Sequence, residues 1–165
     1  MAGWKKYKLE EFASKLGDGL HGTPAYDENG KYFFINGSNL MDGKILINSN
    51  TKRAKEDEYI KYKKELSERT ILLGINGTIG NVALFNNEKC ILGKSACYIN
   101  VDEKFDRNFI KYVLLNNDFQ NYIKTNATGS VIKNVGLKLL RDYEVVLPSD
   151  IETQSRIASI LSSLD

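Results

Sequence analysis

Short apolar runs, each broken by an Asn-Gly or Asp-Gly pair, set the tightest limit on how this chain can fold. Phe33-Phe34-Ile35 runs into Asn36-Gly37, Asp42-Gly43 precedes Ile45-Leu46-Ile47, and Ile71-Leu72-Leu73-Gly74-Ile75 runs into Asn76-Gly77. Runs of this length are strands, and the pairs between them are turn formers that tolerate positive φ. The pattern predicts strands at 4–9, 32–35, 44–47, 71–75, 81–85, 95–101 and 143–147, with a hairpin at Asp42-Gly43. Helical spacing is found elsewhere. Leu9, Phe12, Ala13 and Leu16 form one stripe, with Glu10 and Glu11 in its first turn and Gly17 as its stop. Asp106 is placed to cap one long helix whose apolar face is Phe109, Ile110, Val113, Leu114, Phe119 and Ile123. The charge-dense stretch 53–69 reads as a solvated helix. Strands and helices do not alternate as a doubly wound sheet requires. The expected class is α+β: a twisted, mainly antiparallel sheet with flanking helices and Gly-rich loops.

The last segment differs in character. Ser149-Asp150-Ile151-Glu152 has the spacing of a capping box, and Ile157, Ile160, Leu161 and Leu164 then share one helical face. Residues 1–148 are expected to form one domain, and residues 149–165 to open a longer helix or to form one that packs on a partner.

At 165 residues the chain is the size of a single domain, and its apolar fraction of 42% excludes global disorder. No apolar run approaches the ~20 residues of a membrane span, and the first residues lack the apolar stretch of a signal peptide. The expected location is the cytoplasm. The net charge of +2 is too mild for unspecific coating of DNA and suits a module with a local basic face.

Several chemistries lack their parts. Two cysteines, Cys90 and Cys97, and one histidine, His21, are too few for a four-ligand zinc site without a carboxylate, and both cysteines sit among apolar residues as core positions would. Gly93-Lys94-Ser95 is not a phosphate loop, because Glu88 stands where the earlier Gly is required. Gly74, Gly77 and Gly80 do not have dinucleotide spacing. Pro24 and Pro148 are the only prolines, so a Pro-Pro-aromatic methyltransferase loop is absent. A metal-dependent nuclease would have to rest on Asp57-Glu58 or Asp102-Glu103, pairs of a kind usually solvated, and an adaptor without a nucleic-acid role is the other rival. No metal ligands are expected. What stands out instead are polar, Gly-containing loops: Gly22-Thr23-Pro24, Asn36 to Asn39, Asn76 to Gly80 and 126–134. Such loops bring backbone N–H groups and short polar side chains to a ligand.

In order along the chain, the pieces resemble the target recognition domain of type I restriction-modification specificity subunits. They are Trp4 with Leu9, Leu16-Gly17-Asp18, Gly22-Thr23-Pro24, Phe33 to Leu40, Asp42-Gly43-Lys44-Ile45, Asn76-Gly77-Thr78-Ile79-Gly80-Asn81, Leu92 to Ser95, Ala127 to Ser130, and Leu147-Pro148 through Gln154, Ile157 and Leu161 to Leu164-Asp165. The likeness runs over almost the whole chain; Arg69-Thr70 departs from it, standing where many members carry Gly-Asp. The resemblance implies a non-catalytic part that binds double-stranded DNA and tells modification and restriction subunits where to act. Members typically carry two recognition domains joined by helical spacers, each reading half of a split site. One domain with a spacer start fits an excised fragment, a truncated product or a half-subunit that dimerises through its C-terminal helix; similar domains also occur fused to type IIG enzymes. No cofactor is expected in this chain: S-adenosylmethionine, ATP and Mg belong to the partner subunits. The expected DNA-contact set is Thr23, Ser38, Asn39, Asn76, Thr78, Lys94, Ser130, Lys133 and Asn134. The expected partner-facing helix residues are Ile157, Ile160, Leu161 and Leu164.

Overall fold

A computed structural model describes residues 3–165; Met1 and Ala2, the start of the expected recognition domain, lie outside the described residues. In chain order the first elements are β1 (Trp4–Lys8), α1 (Leu9–Phe12), β2 (Ala13–Asp18), β3 (Tyr32–Ile35), β4 (Leu40–Met41) and β5 (Lys44–Ile45). Then follow β6 (Arg53–Ala54), α2 (Glu56–Tyr62), β7 (Thr70–Gly74), β8 (Val82–Leu84), β9 (Cys90–Leu92) and β10 (Ala96–Val101). The last are α3 (Arg107–Leu115), α4 (Asn117–Asn126), α5 (Leu137–Arg141), β11 (Glu144–Pro148) and α6 (Ile151–Ser162). The α+β class is as expected. The antiparallel expectation holds with one exception, since β3 and β9 pair in parallel. The strands do not form one sheet, however. They divide into a four-stranded sheet of order β2-β10-β7-β8, a three-stranded sheet β6-β3-β9, and the pairs β1-β11 and β4-β5.

The central strands of the four-stranded sheet, β7 and β10, are buried on both faces and so read as apolar runs rather than as an alternation. Alternate side chains still divide between two cores. Ile71, Leu73, Cys97 and Ile99 join Phe109, Ile110, Phe119 and Ile123 on the helical side. Leu72, Ala96 and Tyr98 join Ile35, Leu40 and Leu92 on the other.

Four local expectations need correction. The stripe Leu9-Phe12-Ala13-Leu16 is helical for only one turn: Ala13 is extended (φ −110°, ψ 111°) and β2 pairs with β10 instead. Strand pairing there gives the backbone cross-strand partners, and Gly17 is not a helix stop but lies opposite Tyr98, whose hydroxyl would stand 2.8 Å from any added Cβ. The single helix expected after Asp106 is two. Asn116 (φ −63°, ψ 145°) ends α3, and its side chain accepts from the N–H of Asp118 to start α4. At α6 the N-cap is Asp150, one residue beyond Ser149, accepting from the N–H of Thr153 at 2.8 Å. The strand expected at 44–47 stops at Ile45.

The hairpin at Asp42-Gly43 is present, with positive φ at both residues (49° and 76°), as a tight turn of this hand requires. Within the charge-dense stretch 53–69 only Glu56–Tyr62 are helical, as α2, which buries no residue; Arg53–Ala54 instead pair with β3 as β6, and residues 63–69 are not helical. At the departure Arg69-Thr70, the Arg69 guanidinium donates to the carbonyls of Val101, Asp102 and Phe105, while the Thr70 hydroxyl donates to Asn100 Oδ1 at 2.6 Å. That pair clamps the start of β7 to the end of β10 at the centre of the sheet. Among the described residues no helix is long and apolar enough to cross a membrane.

Candidate nucleic-acid interface

The Gly-rich loops lie far apart in sequence, yet the fold brings them together in one connected layer. Backbone pairing does much of this. Leu20 N–H donates to the Leu92 carbonyl, Gly93 N–H to Ile35, Ile75 N–H to Ser95, and Gly77 N–H to Lys133. Segment 19–24 therefore lies against 93–95, which lies against 36–39 and 76–80, which in turn holds 126–134.

Side chains lock these seams. The Ser95 hydroxyl donates to Asn36 Oδ1 at 2.9 Å and accepts from Gly37 N–H at 2.9 Å. Gly37 is in close quarters: an added Cβ would stand 2.5 Å from Thr78 Oγ1 and 2.9 Å from the Ser95 carbonyl oxygen. Asn76 Nδ2 donates to Asn134 Oδ1 at 3.2 Å. The backbone N–H groups of Thr128 and Asn134 each donate to the other's carbonyl, at 2.9 and 2.8 Å, so a single antiparallel bridge closes the neck of the loop that carries residues 129–133.

The nine residues expected to touch DNA divide by what already holds them. Thr23, Ser38, Lys94, Ser130 and Lys133 are exposed. Thr23, Lys94 and Asn36 line one open groove of about 420 Å³ together with His21, Gly22 and Phe34. Asn76 and Asn134 are half-buried and paired to each other, which leaves Asn76 Oδ1 and Asn134 Nδ2 for a further partner. Asn39 is occupied: its Oδ1 accepts from Asn36 N–H and its Nδ2 donates to the Leu46 carbonyl. Thr78 keeps its hydroxyl oxygen buried beneath Gly37. Asn39 is thus committed to bonds within its own loop, whereas the Thr78 hydroxyl is buried without a hydrogen-bond partner.

Asn36 falls in a loop the sequence singles out and Ser95 at the start of an expected strand, and neither is among the expected contact residues; only their long-range contact gives them away. Sequence reasoning also passed over Val131 and Ile132, two β-branched residues in a polar loop, which stand 92% and 62% exposed. The Nε2 of His21 meets the Asp18 carboxylate at 2.5 Å. Both cysteines are buried, as expected of core positions, and burial pushes the Cys90 thiol up to about 12 and the Cys97 thiol higher still. Neither is a thiolate nucleophile at neutral pH. Among the described residues no three His, Cys, Asp or Glu side chains come together as a metal site would need.

The C-terminal helix presents its expected face unevenly. Ile157 and Leu161 are half-buried and line an apolar groove with Phe109, Val113, Val145 and Leu147, whereas Ile160 and Leu164 are 63% and 78% exposed.

Comparison with known proteins now bears on the site. The family model described as type I restriction modification DNA specificity domain matches residues 1–165. A Mycoplasma pneumoniae protein carrying the name type I specificity subunit S.MpnORF638P is 29% identical over 139 residues, which is 83% of this chain and 32% of that protein. The crystal structure of a type I restriction-modification system S subunit from M. genitalium aligns with a TM-score of 0.69 at 24% identity, covering 98% of this chain and 39% of that one. The HsdS subunit of Thermoanaerobacter tengcongensis aligns at 0.68 with 18% identity, covering 98% and 37%. The chain spans between 32% and 39% of the length of these relatives.

Proposed function

The chain belongs to the type I restriction modification DNA specificity domain family, and on that premise we propose that its loop layer reads one half of a split site in double-stranded DNA. The observation that carries this reading is the convergence of 19–24, 36–39, 76–80, 93–95 and 126–134 into one connected surface. Lys94 and Lys133 neutralise phosphates and set register. Thr23, Ser38 and Ser130 offer hydroxyls to phosphates or base edges. The joined amides of Asn76 and Asn134 leave one acceptor and one donor, the two kinds of group an adenine edge takes in the major groove. Asn39 holds its loop in place through its bonds to Asn36 and Leu46, and Thr78 packs against Gly37.

In this reading the chain does no bond chemistry. It works as a specificity subunit or half-subunit in the cytoplasm and directs modification and restriction subunits to the site. Those partners bring S-adenosylmethionine, ATP and Mg. Residues 1–148 serve as the recognition domain, and residues 149–165 start the spacer. Ile160 and Leu164, the outward members of the helix face, meet a second spacer helix or a modification subunit, and a homodimer through this helix would read a symmetric site. The inward members, Ile157 and Leu161, hold the helix to its own domain.

The test is binding to a mixed-sequence duplex over a range of salt concentrations. Lys94→Ala and Lys133→Ala are each expected to weaken binding and to flatten the slope of log affinity against log salt by about 1. An unchanged affinity and slope would favour the adaptor reading, and magnesium-dependent cutting by the chain alone would favour the nuclease.

A further inference from the structure

The end of the 126–134 loop carries an arrangement that phosphate binding does not account for. Val131 and Ile132 are neighbouring apolar residues, 92% and 62% exposed, in a segment otherwise made of Thr, Gly, Ser, Lys and Asn. The segment is built to hold them out. Thr128 and Asn134 exchange two backbone hydrogen bonds at its base, Asn134 is fastened to Asn76, and Gly77 N–H donates to the Lys133 carbonyl. Gly129 turns the chain at φ +104°, and an added Cβ there would stand 2.3 Å from the Ile132 carbonyl oxygen. A loop pinched at its neck by one Thr128–Asn134 bridge presents a tip no wider than the two-stranded element the major groove admits. Lys133 adjoins the apolar pair and supplies charge toward phosphate, and Ser130 precedes it.

We propose that the Val131-Ile132 tip enters the major groove and reads thymine through its C5-methyl group. The proposal rests on the DNA-reading assignment above. It adds an apolar contact to a surface whose other exposed groups are polar. The thymine methyl is the one apolar marker on that groove's floor, and a β-branched pair meets it without a hydrogen bond to satisfy. Removing water from one methyl contact is worth about fourfold in affinity.

The experiment first selects bound sequences from a randomised duplex pool with the chain assembled with its modification subunits. The enriched duplex is then remade with deoxyuridine in place of each thymidine singly, which removes only the methyl group. At one or two positions the wild-type assembly is expected to lose about fourfold in affinity. In the doubly substituted variant Val131→Ser/Ile132→Ser that loss should vanish, while the salt slope stays that of the wild type. Both side chains are exposed, so the variant is expected to fold. An enriched motif with no methyl-sensitive position, or with the same sensitivity in the variant, overturns the thymine contact and leaves the DNA-reading assignment standing. A variant that reads DNA as the wild type does but fails to assemble makes the tip a protein contact and overturns the proposal. A pool with no enriched motif overturns both readings.

Discussion

The side-chain amide of Gln154 bridges the end of the last strand and the start of α3. Its Oε1 accepts from the backbone N–H of Asp106 at 2.9 Å, and its Nε2 donates to the Pro148 carbonyl at 2.8 Å, with the residue itself 0% exposed. The Asp106 carboxylate completes the joint: one oxygen caps α3 at Phe109 N–H and the other accepts from the Ser155 hydroxyl. The C-terminal helix is therefore tied to the body of the domain by a closed polar network as well as by apolar packing.

Gln154→Leu fills the same space but leaves the Asp106 N–H and the Pro148 carbonyl without their partner. The expected cost is about 2–5 kcal/mol of unfolding free energy, since each buried group loses a bond and gains none. Urea denaturation measures it. A loss below about 0.5 kcal/mol, the scatter of ordinary surface changes, would show that water or a shifted backbone replaces the amide.

Gly37→Ala is expected to damage the interface from within. The added methyl meets Thr78 Oγ1 at 2.5 Å and the Ser95 carbonyl oxygen at 2.9 Å. Overpacking of this kind costs about 1–3 kcal/mol. Because it separates the 36–39 and 76–80 loops, duplex affinity should fall as well. Thr78→Ala in the same chain relieves the nearer clash and should recover part of both losses. Full affinity in Gly37→Ala alone would mean the loops do not act as one surface.

The cap of α6 makes a pH prediction. The Asp150 carboxylate accepts from Thr153 N–H, and that bond holds its pKa below the usual aspartate value. A lowered folded pKa stabilises the fold above the unfolded pKa of about 4, and the contribution is lost as pH falls through the folded value. Asp150→Asn keeps a capping oxygen but does not titrate. Urea midpoints of wild type and variant should therefore differ most near neutral pH and converge in acid. Parallel curves at all pH values would contradict this assignment.

Raised thiol pKa values predict silence toward a thiol reagent. Burial holds Cys90 near pKa 12 and Cys97 above it. Neither should react with Ellman's reagent at pH 8 in the folded protein, and both should react in guanidinium. Rapid labelling of the native chain would show that these strands open far more readily than their burial implies.

Local chemistry made much of this fold legible in advance, and long-range pairing explains where it was not. The Asp42-Gly43 hairpin, the buried run of β7 and the apolar face over Phe109, Ile110 and Leu114 follow from turn formers and periodicity. Strand β9 spans only Cys90 to Leu92, too short to stand out, and exists because it pairs in parallel with β3 across a long stretch of chain. Leu9, Phe12 and Leu16 have helical spacing, but β10 offers the segment after Phe12 a strand partner, and pairing overrides periodicity. The interface follows the same rule. Its loops are recognisable one at a time by Gly and Asn. That Ser95 bonds Asn36, or that Asn76 bonds Asn134, depends on residues 59 and 58 positions apart.

The most direct test of the central claim is a map of methylated bases in DNA from cells making the modification subunits, with and without this chain. A split motif methylated only when the chain is present, and altered when Asn76 and Asn134 are replaced by Ala, is the predicted result. A methylation pattern that is the same with and without the chain, or a motif that those two replacements leave untouched, would contradict it.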